Sequence, residues 1–215
     1  DVEPLGYLVQ DEWRVLLEQS IASGSSQNWA AWYHLGVMRY HINDQEGAHS
    51  AWAASMALRP TPWAQRNLAL LAQLQGDHAT AADGYIAACR QRPALQPLAA
   101  ECGTALIQAE RHDEWLTLIN ELPGEVRRAG RIRLLEAQAA LAIKDFDQVE
   151  RIFIDPPVVA DLREGERSLS QLWFEFHEQR LSAKEGLPVN DAFRARVRHG
   201  YPVPQEIDFR MSVEE

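Results

Sequence analysis

Apolar residues return every three or four positions along most of this chain, a spacing that buries one face of an α-helix. In the first such segment, residues 9–22, the stripe consists of Val9, Trp13, Leu16, Leu17 and Ile21. Glycine, asparagine, aspartate and proline interrupt the pattern at intervals and mark the ends of successive helices. The pattern therefore predicts an all-α protein.

The interruptions after the first segment have the chemistry of helix caps. Asn28 precedes a helical segment, and Asn43-Asp44 separates that segment from the next one. Thr61-Pro62 supplies a capping side chain followed by a first-turn proline, and Gly76-Asp77 turns the chain again. Each half of the segment 28–93 is predicted to be a helix, a tight turn and a second helix that ends at a proline.

The two halves repeat each other at a constant offset along the chain. The matching pairs are Leu35 with Leu68, Gly36 with Ala69, Ala48 with Ala81, Trp52 with Tyr85, and Pro60 with Pro93. Five such pairs predict repeated helix pairs that bury their apolar faces against one another. Counted from Ala81 and Tyr85, the pattern continues at a spacing one position longer, first at Trp115 and Ile119 and then at Val149 and Phe153. Pro123 is expected to shorten the third helix pair.

Small and large residues occupy complementary places in this repeat. The small ones, which we expect to let helices approach closely, are Gly36, Ala48, Ala69, Ala81 and Gly103. The large ones, which we expect to fill the space between pairs, are Trp52, Tyr85, Ile119 and Phe153.

This arrangement resembles the tetratricopeptide repeat, whose unit of about 34 residues carries small, aromatic and turn residues at fixed places. The residues that carry the resemblance are Trp32, Leu35, Gly36, Ala48, Trp52, Pro60, Gly76-Asp77, Ala81, Tyr85 and Pro93. It is closest over residues 28–93, weaker over 96–153, and absent afterwards. The resemblance implies a tetratricopeptide-like superhelix of antiparallel helix pairs.

The repeat pattern ends before residue 160, where Asp155-Pro156-Pro157 begins an acidic loop. Ser168 with Gln171 has the form of a capping box for a long helix to about Lys184. Gly186 and Pro188 close that helix, and Asn190 caps a short helix over residues 192–198. An extended tail is predicted over residues 207–211. Because a repeat array exposes an apolar end, we expect these helices to form a C-terminal cap.

These segments give three predicted regions. Residues 1–27 form a lead-in and a partial-repeat helix, 28–153 form about four helix pairs, and 154–215 form a loop, capping helices and an extended tail.

The last region is similar to the C-terminus of large bacterial proteins of obscure function. The residues that carry this similarity are Leu172-Trp173-Phe174-Glu175 and Tyr201-Pro202-Val203-Pro204. Those proteins carry an N-terminal galactose-mutarotase-like β-sandwich, so any sugar chemistry would belong to a domain outside this chain.

Composition narrows the classes of partner. The 215 residues include 31 acidic and 21 basic side chains, a formal net charge of −10, which argues against nucleic acid or an anionic membrane as the main ligand. No apolar run approaches the roughly 18 residues of a membrane span. Because the chain begins at Asp1 without a signal-like segment, we expect a piece of a longer, cytoplasmic protein.

Candidate catalytic and metal-binding residues are few. Cys89 and Cys102 are expected to be buried thiols, with a disulfide as the alternative. His177-Glu178 lacks the second histidine of a zinc motif because Leu181 stands in its place. Metal binding by His34, His41 and His49 is the alternative to solvated or hydrogen-bonded histidines. We expect no catalytic residues, metal or cofactor in this chain.

A binding groove is better supported, because the first helix of each pair lines a concave surface in the resembling family. That geometry implies a groove formed by Tyr33, Tyr40, Trp63, Arg66, Asn67, Leu70, Gln73, Thr104 and Gln138. Trp63 and Arg66 either offer an aromatic plane and a planar cation to a ligand or are used internally. In the internal alternative Trp63 packs on the preceding pair and Arg66 pairs with a carboxylate. Asn67 matches one position of the family's carboxylate clamp, but Tyr33 and Val37 occupy others, so the clamp is incomplete.

These features predict a non-catalytic scaffold that docks a protein or an upstream domain of the same chain. The alternative is a part of a carbohydrate-active enzyme that shapes a glycan site, with Trp63 and Tyr33 as stacking residues.

Overall fold

The computed structural model of the chain describes residues 4, 6, 8–155 and 168–208. Within these residues it contains twelve α-helices, one short 3₁₀ helix and no β-strand, which confirms the all-α prediction. The helices are α1 (Asp11–Ala22), α2 (Trp29–His41), α3 (Gln45–Leu58), α4 (Pro62–Leu74), α5 (His78–Gln91), α6 (Gln96–Gln108), α7 (His112–Ile119), α8 (Gly124–Arg127), α9 (Gly130–Ala142), α10 (Phe146–Ile154), α11 (Ser168–Glu185) and α12 (Asp191–Gly200). The 3₁₀ helix is Gln205–Ile207.

Five of the predicted caps lie where the sequence places them. The side chains of Asn28, Asp44, Thr61 and Asp77 each accept a hydrogen bond from the backbone N–H three residues later, over 2.9–3.3 Å. Asn190 does the same for α12 over 2.9 Å. These bonds satisfy N–H groups that have no partner within the helix.

The same backbone turn joins the two helices of each predicted pair. Its left-handed residue is Asn43, Gly76, Glu110 and Lys144 in turn, with φ between +58° and +80° and nearly even spacing along the chain. In each turn the N–H of the following residue bonds the carbonyl five residues back over 2.9 Å; the pairs are Asp44 with Arg39, Asp77 with Ala72, Arg111 with Leu106, and Asp145 with Ala140. This bond satisfies a carbonyl at the helix C-terminus. The predicted period is therefore present in the backbone through all four turns.

The chain divides into two compact units, Asp1–Ala105 and Leu106–Glu215, here called the N-terminal unit and the C-terminal unit. In the N-terminal unit α2 packs on α3, α3 on α4, α4 on α5, and α1 on α2. Trp52 of α3 is 2% exposed, packs among Tyr33, Ala64 and Leu71, and donates its indole N–H to the Tyr33 carbonyl over 3.1 Å. Its predicted place in the core is confirmed.

Gly36 and Gly84 of the N-terminal unit have no room for a side chain, because each faces a packed residue of a neighbouring helix. A Cβ atom on Gly36 would lie 2.4 Å from the Trp52 indole nitrogen, and one on Gly84 would lie 2.8 Å from the Ala69 Cβ. The predicted close approach at Gly36 is therefore to the Trp52 ring. Ala69 faces Gly84, a residue that the sequence pattern had not singled out.

The first helix departs from the predicted burial of its apolar stripe. Trp13 and Leu16 of α1 are 51% and 55% exposed, whereas Ile21 is buried and Leu17 is half-buried. Ile21 and Leu17 pack with Ala31 and Leu35 of α2, and Glu18 adds a polar contact by accepting hydrogen bonds from Arg39 of the same helix.

In the C-terminal unit α7 is only eight residues long, in line with the predicted shortening of the third pair at Pro123. The short helix α8, which begins directly after Pro123, was not predicted. The helix α9 packs on α7, α10 and α11, and α12 packs on α11. The predicted extended tail is wrong at its start, because residues 205–207 form a 3₁₀ turn and Ile207, 1% exposed, packs in the core with Leu134 and Phe176. Residues 209–211 of that prediction, and the acidic loop from Pro156, lie outside the described residues.

Candidate functional sites

A polar cluster lies on the N-terminal unit where α4, α5 and α6 meet; it consists of Arg66, Asn67, Gln73, Tyr85 and Glu101. The guanidinium of Arg66 donates two hydrogen bonds to the Glu101 carboxylate, over 2.8 and 2.5 Å, and a third to the Asn67 side-chain oxygen over 3.1 Å. The Tyr85 hydroxyl donates to Gln73 over 3.2 Å. Successive first helices are thus joined by a bidentate ion pair.

The cluster is half-open to solvent. The side chains of Arg66 and Glu101 are 33% and 36% exposed. The hydrogen bond to Glu101 raises the pKa of Arg66, and burial, followed by the Glu101 charge, raises the pKa of Tyr85 to about 12. At neutral pH both therefore act as hydrogen-bond donors in a fixed arrangement. A pair this exposed contributes about 1 kcal/mol or less to stability, so its positioning of side chains is its larger effect.

Trp63 and Arg66 both make contacts within the protein, which is the second of the two alternatives given above for this pair. Arg66 pairs with a carboxylate, and Trp63 packs on the preceding pair beside Tyr33 and Trp52. Tyr33 is 3% exposed, so its ring offers no face to a ligand. Tyr40 is half-buried, with its ring centroid 5.9 Å from that of Trp52.

The other predicted groove residues have the following places. Asn67 is 7% exposed and Leu70 is half-buried, both on α4. The Thr104 hydroxyl bonds back to the Ala100 carbonyl over 2.9 Å, within α6. Gln138 is half-buried on α9 in the C-terminal unit. The structure thus brings Arg66, Asn67 and Gln73 together in the polar cluster.

Sequence reasoning missed two members of that cluster, Glu101 and Tyr85. The period could have found Glu101, because Asn67 and Glu101 have the same spacing along the chain as the turn residues Gly76 and Glu110 and so hold the same place in successive repeats. Tyr85 was assigned to the core, where its ring does lie at 2% exposure, but its hydroxyl reaches the polar cluster.

A cleft in the N-terminal unit joins two arginine–tryptophan stacks. The guanidinium carbon of Arg59 lies 5.4 Å from the Trp29 ring centroid, and that of Arg92 lies 5.9 Å from the Trp63 ring centroid. Both stacks line one cleft of about 200 Å³, here called the tryptophan–arginine cleft. Its wall is completed by Pro60, Thr61, Pro62 and Gln91.

The C-terminal unit contains an aromatic cluster around His177, formed with Phe153, Trp173, Phe176 and Tyr201. The imidazole stacks on the Tyr201 ring at 4.1 Å and 22°, and the Trp173 indole N–H donates to the Tyr201 carbonyl over 3.1 Å. His177 is 8% exposed, and its Nε2 has no hydrogen-bond partner among the described residues.

Burial is the main cause that lowers the pKa of His177, to about 4. The positive charge of Arg180 lowers it further, whereas Glu150, which accepts hydrogen bonds from Arg180 over 2.6 and 3.2 Å, acts in the opposite direction. His177 is therefore neutral at pH 7 and functions as an aromatic core residue.

No group of three or more metal-ligating side chains occurs in the part of the chain that the structure describes. Within that same part, no helix is both long enough and apolar enough to cross a membrane. No protein-family model matches the chain, and no curated protein matches it.

Proposed function

We propose that the chain is a tetratricopeptide-like scaffold that docks a protein, either a separate partner or another domain of the same polypeptide, without chemistry of its own. The observation that carries this proposal is the recurrence of one turn geometry at four places along the chain, each of which joins the two helices of a pair. Regular helix pairs present their first helices side by side, and such surfaces suit extended protein contacts.

The polar cluster is the part of that surface best prepared for a partner. Arg66, Asn67 and Glu101 are held by one another in defined positions, so little side-chain freedom remains to be lost when a partner binds. Leu70, one turn after Arg66 on α4, adds half-buried apolar area beside it. A central apolar contact with a fixed polar surround is the usual composition of a protein interface.

The geometry gives the glycan alternative less support. Of the two stacking residues that it needs, Tyr33 is buried, and Trp63 is half-buried, packs against the core and has the Arg92 guanidinium 5.9 Å from its ring centroid. A sugar ring stacks on an open aromatic face, which Tyr33 does not supply and which the Arg92 guanidinium competes for at Trp63. Protein docking is therefore the function that we propose.

The test begins with a photo-crosslinking amino acid in place of Leu70, in the protein as the cell makes it, to identify the partner. Its affinity is then measured for the wild type, for Arg66→Gln/Glu101→Gln, and for a control pair, Arg111→Gln/Glu114→Gln. The control removes another intramolecular ion pair, of 2.7 and 2.9 Å, without changing the net charge. We expect the first variant to bind at least tenfold more weakly and the control to match the wild type.

Two outcomes would contradict the proposal. One is equal affinity of both variants for every captured protein. The other is saturable binding of the purified chain to members of a glycan panel, weakened by Arg66→Gln/Glu101→Gln, with no captured protein at all.

A further inference from the structure

We propose that the corner between α8 and α9 carries a second recognition surface, which takes an acidic segment of a partner protein. Three exposed arginines, Arg127, Arg128 and Arg131, make up this surface, here called the arginine patch. It lies in the C-terminal unit, whereas the polar cluster involves α4, α5 and α6. The proposed docking function enters only in naming a protein as the source of the acidic groups.

The corner directs these arginines outward because the apolar residues of the same segment are buried. Val126 and Ile132 are 2% and 0% exposed, and α8 packs on α9. The Ala129 N–H donates to the Val126 carbonyl over 3.0 Å and so turns the chain between the two helices. The Cα atoms of Arg127 and Arg131 can lie no more than about 14 Å apart along such a short stretch of backbone. The three charges are therefore close neighbours on one exposed corner.

The patch differs from other arginines of the C-terminal unit in its lack of internal partners. Arg133, on the same helix as Arg131, donates to the Asp155 carboxylate over 3.0 Å. The side chains of the patch, in contrast, make no hydrogen bond, ion pair or ring contact with any residue that the structure describes. Each arginine has five N–H donors, so the patch offers many donors to a ligand.

The charge of the patch is opposite to that of the chain. The protein carries a formal net charge of −10, yet residues 122–135 contain four arginines and a single acidic residue, Glu125. At physiological salt, charges more than about 8 Å away are largely screened. A ligand that touches the patch therefore experiences mainly the local arginines, which attract an acidic group.

The small extent of the patch favours a protein segment over a nucleic acid. An extended segment of about four residues is as long as the patch, and a protein can carry carboxylates over that length alone. A nucleic-acid strand carries a phosphate about every 3.4 Å, and its charges continue beyond the patch, where the acidic chain repels them. Carboxylates also match the guanidinium group, which binds them through two parallel N–H bonds.

The test is a titration of labelled probes with the whole chain, followed by fluorescence anisotropy at physiological ionic strength. The probes are a capped acidic peptide, Gly-Glu-Asp-Glu-Asp-Gly, its amide counterpart Gly-Gln-Asn-Gln-Asn-Gly, and a short single-stranded oligothymidine. We expect saturable binding of the acidic peptide, at concentrations where the other two probes remain free. In NMR spectra of the wild type, the backbone amide signals of residues 127–131 should shift as this peptide binds.

A triple variant tests the role of the patch. Arg127→Gln/Arg128→Gln/Arg131→Gln should weaken binding of the acidic peptide by about tenfold or more, since three charge-assisted donors are lost. Because all three side chains are exposed, we expect the variant to keep the circular dichroism spectrum of the wild type.

The helix α12 supplies a control of equal charge. Its exposed arginines already contact a carboxylate or an aromatic ring within the protein; they are Arg194, Arg196 and Arg198. Glutamine at these three positions changes the net charge as much as the patch variant does. The affinity for the acidic peptide should then stay within about twofold of the wild type.

Equal losses in the two triple variants, equal binding of the amide peptide, or unmoved amide signals at residues 127–131 would overturn the proposal. Tighter binding of the oligothymidine than of the acidic peptide, through the same arginines, would overturn the assignment to a protein segment. These results are independent of the polar-cluster experiment, because the peptide titration needs no captured partner and leaves Arg66 and Glu101 unchanged.

Discussion

The two units of the molecule use the same turns but fill the space between their helices in different ways. In the N-terminal unit a single indole, that of Trp52, fits over Gly36, and Ala69 faces Gly84, so the packing depends on residues that lack side-chain bulk. In the C-terminal unit the aromatic cluster of Phe153, Trp173, Phe176 and Tyr201 surrounds a histidine. The backbone thus specifies the pairing of helices, and the side chains specify how closely the paired helices approach.

The largest expected effect tests the tight packing of the N-terminal unit. Trp52→Ala should lower the free energy of unfolding by about 3–5 kcal/mol, because it leaves a cavity and removes the hydrogen bond to the Tyr33 carbonyl. Denaturant unfolding followed by circular dichroism measures this. Trp13→Ala is the control, since Trp13 is 51% exposed and should change stability by about 0.5 kcal/mol or less. A loss below about 1 kcal/mol for Trp52→Ala would contradict its place in the core.

The histidine of the C-terminal unit should make that unit sensitive to acid. The folded-state pKa of His177, about 4, lies below the roughly 6.5 of an unfolded chain. The stabilisation from keeping the ring neutral is therefore complete above pH 6.5, and it is lost as the pH falls towards 4. For a mostly buried ring we expect a decrease of about 1–3 kcal/mol in the free energy of unfolding.

His177→Phe separates this effect from the titration of the many carboxylates. Phenylalanine keeps the stack on Tyr201 and leaves no imidazole to protonate. Unfolding experiments at pH 7 and pH 4 should show a smaller decrease for this variant than for the wild type. Identical decreases would show that His177 does not contribute to the acid sensitivity.

The close approach of α4 and α5 is tested at Gly84. Gly84→Ala places a methyl group 2.8 Å from the Ala69 Cβ, and pushing the helices apart should cost about 1–3 kcal/mol in denaturant unfolding. The double variant Gly84→Ala/Ala69→Gly exchanges the two side chains and should recover at least half of the loss. Strictly additive costs in this double-mutant cycle would mean that the two residues do not interact.

Substitutions in the left-handed turns that both units contain should have the smallest effects on stability, and these effects should have opposite signs in the two units. Gly76→Ala in the N-terminal unit should destabilise by about 1 kcal/mol through backbone strain alone, because the added Cβ would meet no atom within 4 Å. Lys144→Gly in the C-terminal unit should stabilise by about 1 kcal/mol, because glycine adopts the left-handed conformation without that strain. Thermal melts that moved in the same direction for both variants would contradict the equivalence of the turns.

Local chemistry made the first two helix pairs predictable. Asn43-Asp44, Thr61-Pro62 and Gly76-Asp77 are residues whose side chains or backbone freedom end and begin helices, and the structure confirms each of them. The third and fourth turns were not located, because Glu110 and Lys144 have no preference for the left-handed conformation that they adopt. There the surrounding helix packing determines the backbone, and a single sequence does not display it.

The candidate sites were less predictable for a related reason. The periodicity places Arg66 and Asn67 on the surface of α4, but it does not show that Glu101 lies within hydrogen-bonding distance. The tryptophan–arginine cleft depends on residues at helix ends, Arg59 and Arg92, which periodic patterns do not describe. The exposure of Trp13 also followed from tertiary packing, since a helical stripe indicates only which residues share a face.

The left-handed turn accepts asparagine, glycine, glutamate and lysine in the same backbone path. Residue identity at this point can therefore drift while the architecture persists. The residue pattern is clear over two helix pairs and weaker over the next two, whereas the same main-chain hydrogen bond recurs at equal length in all four turns. For chains of this kind, the ancestry of the repeats is better traced by the main-chain hydrogen bond in each turn than by the amino acid at its left-handed position.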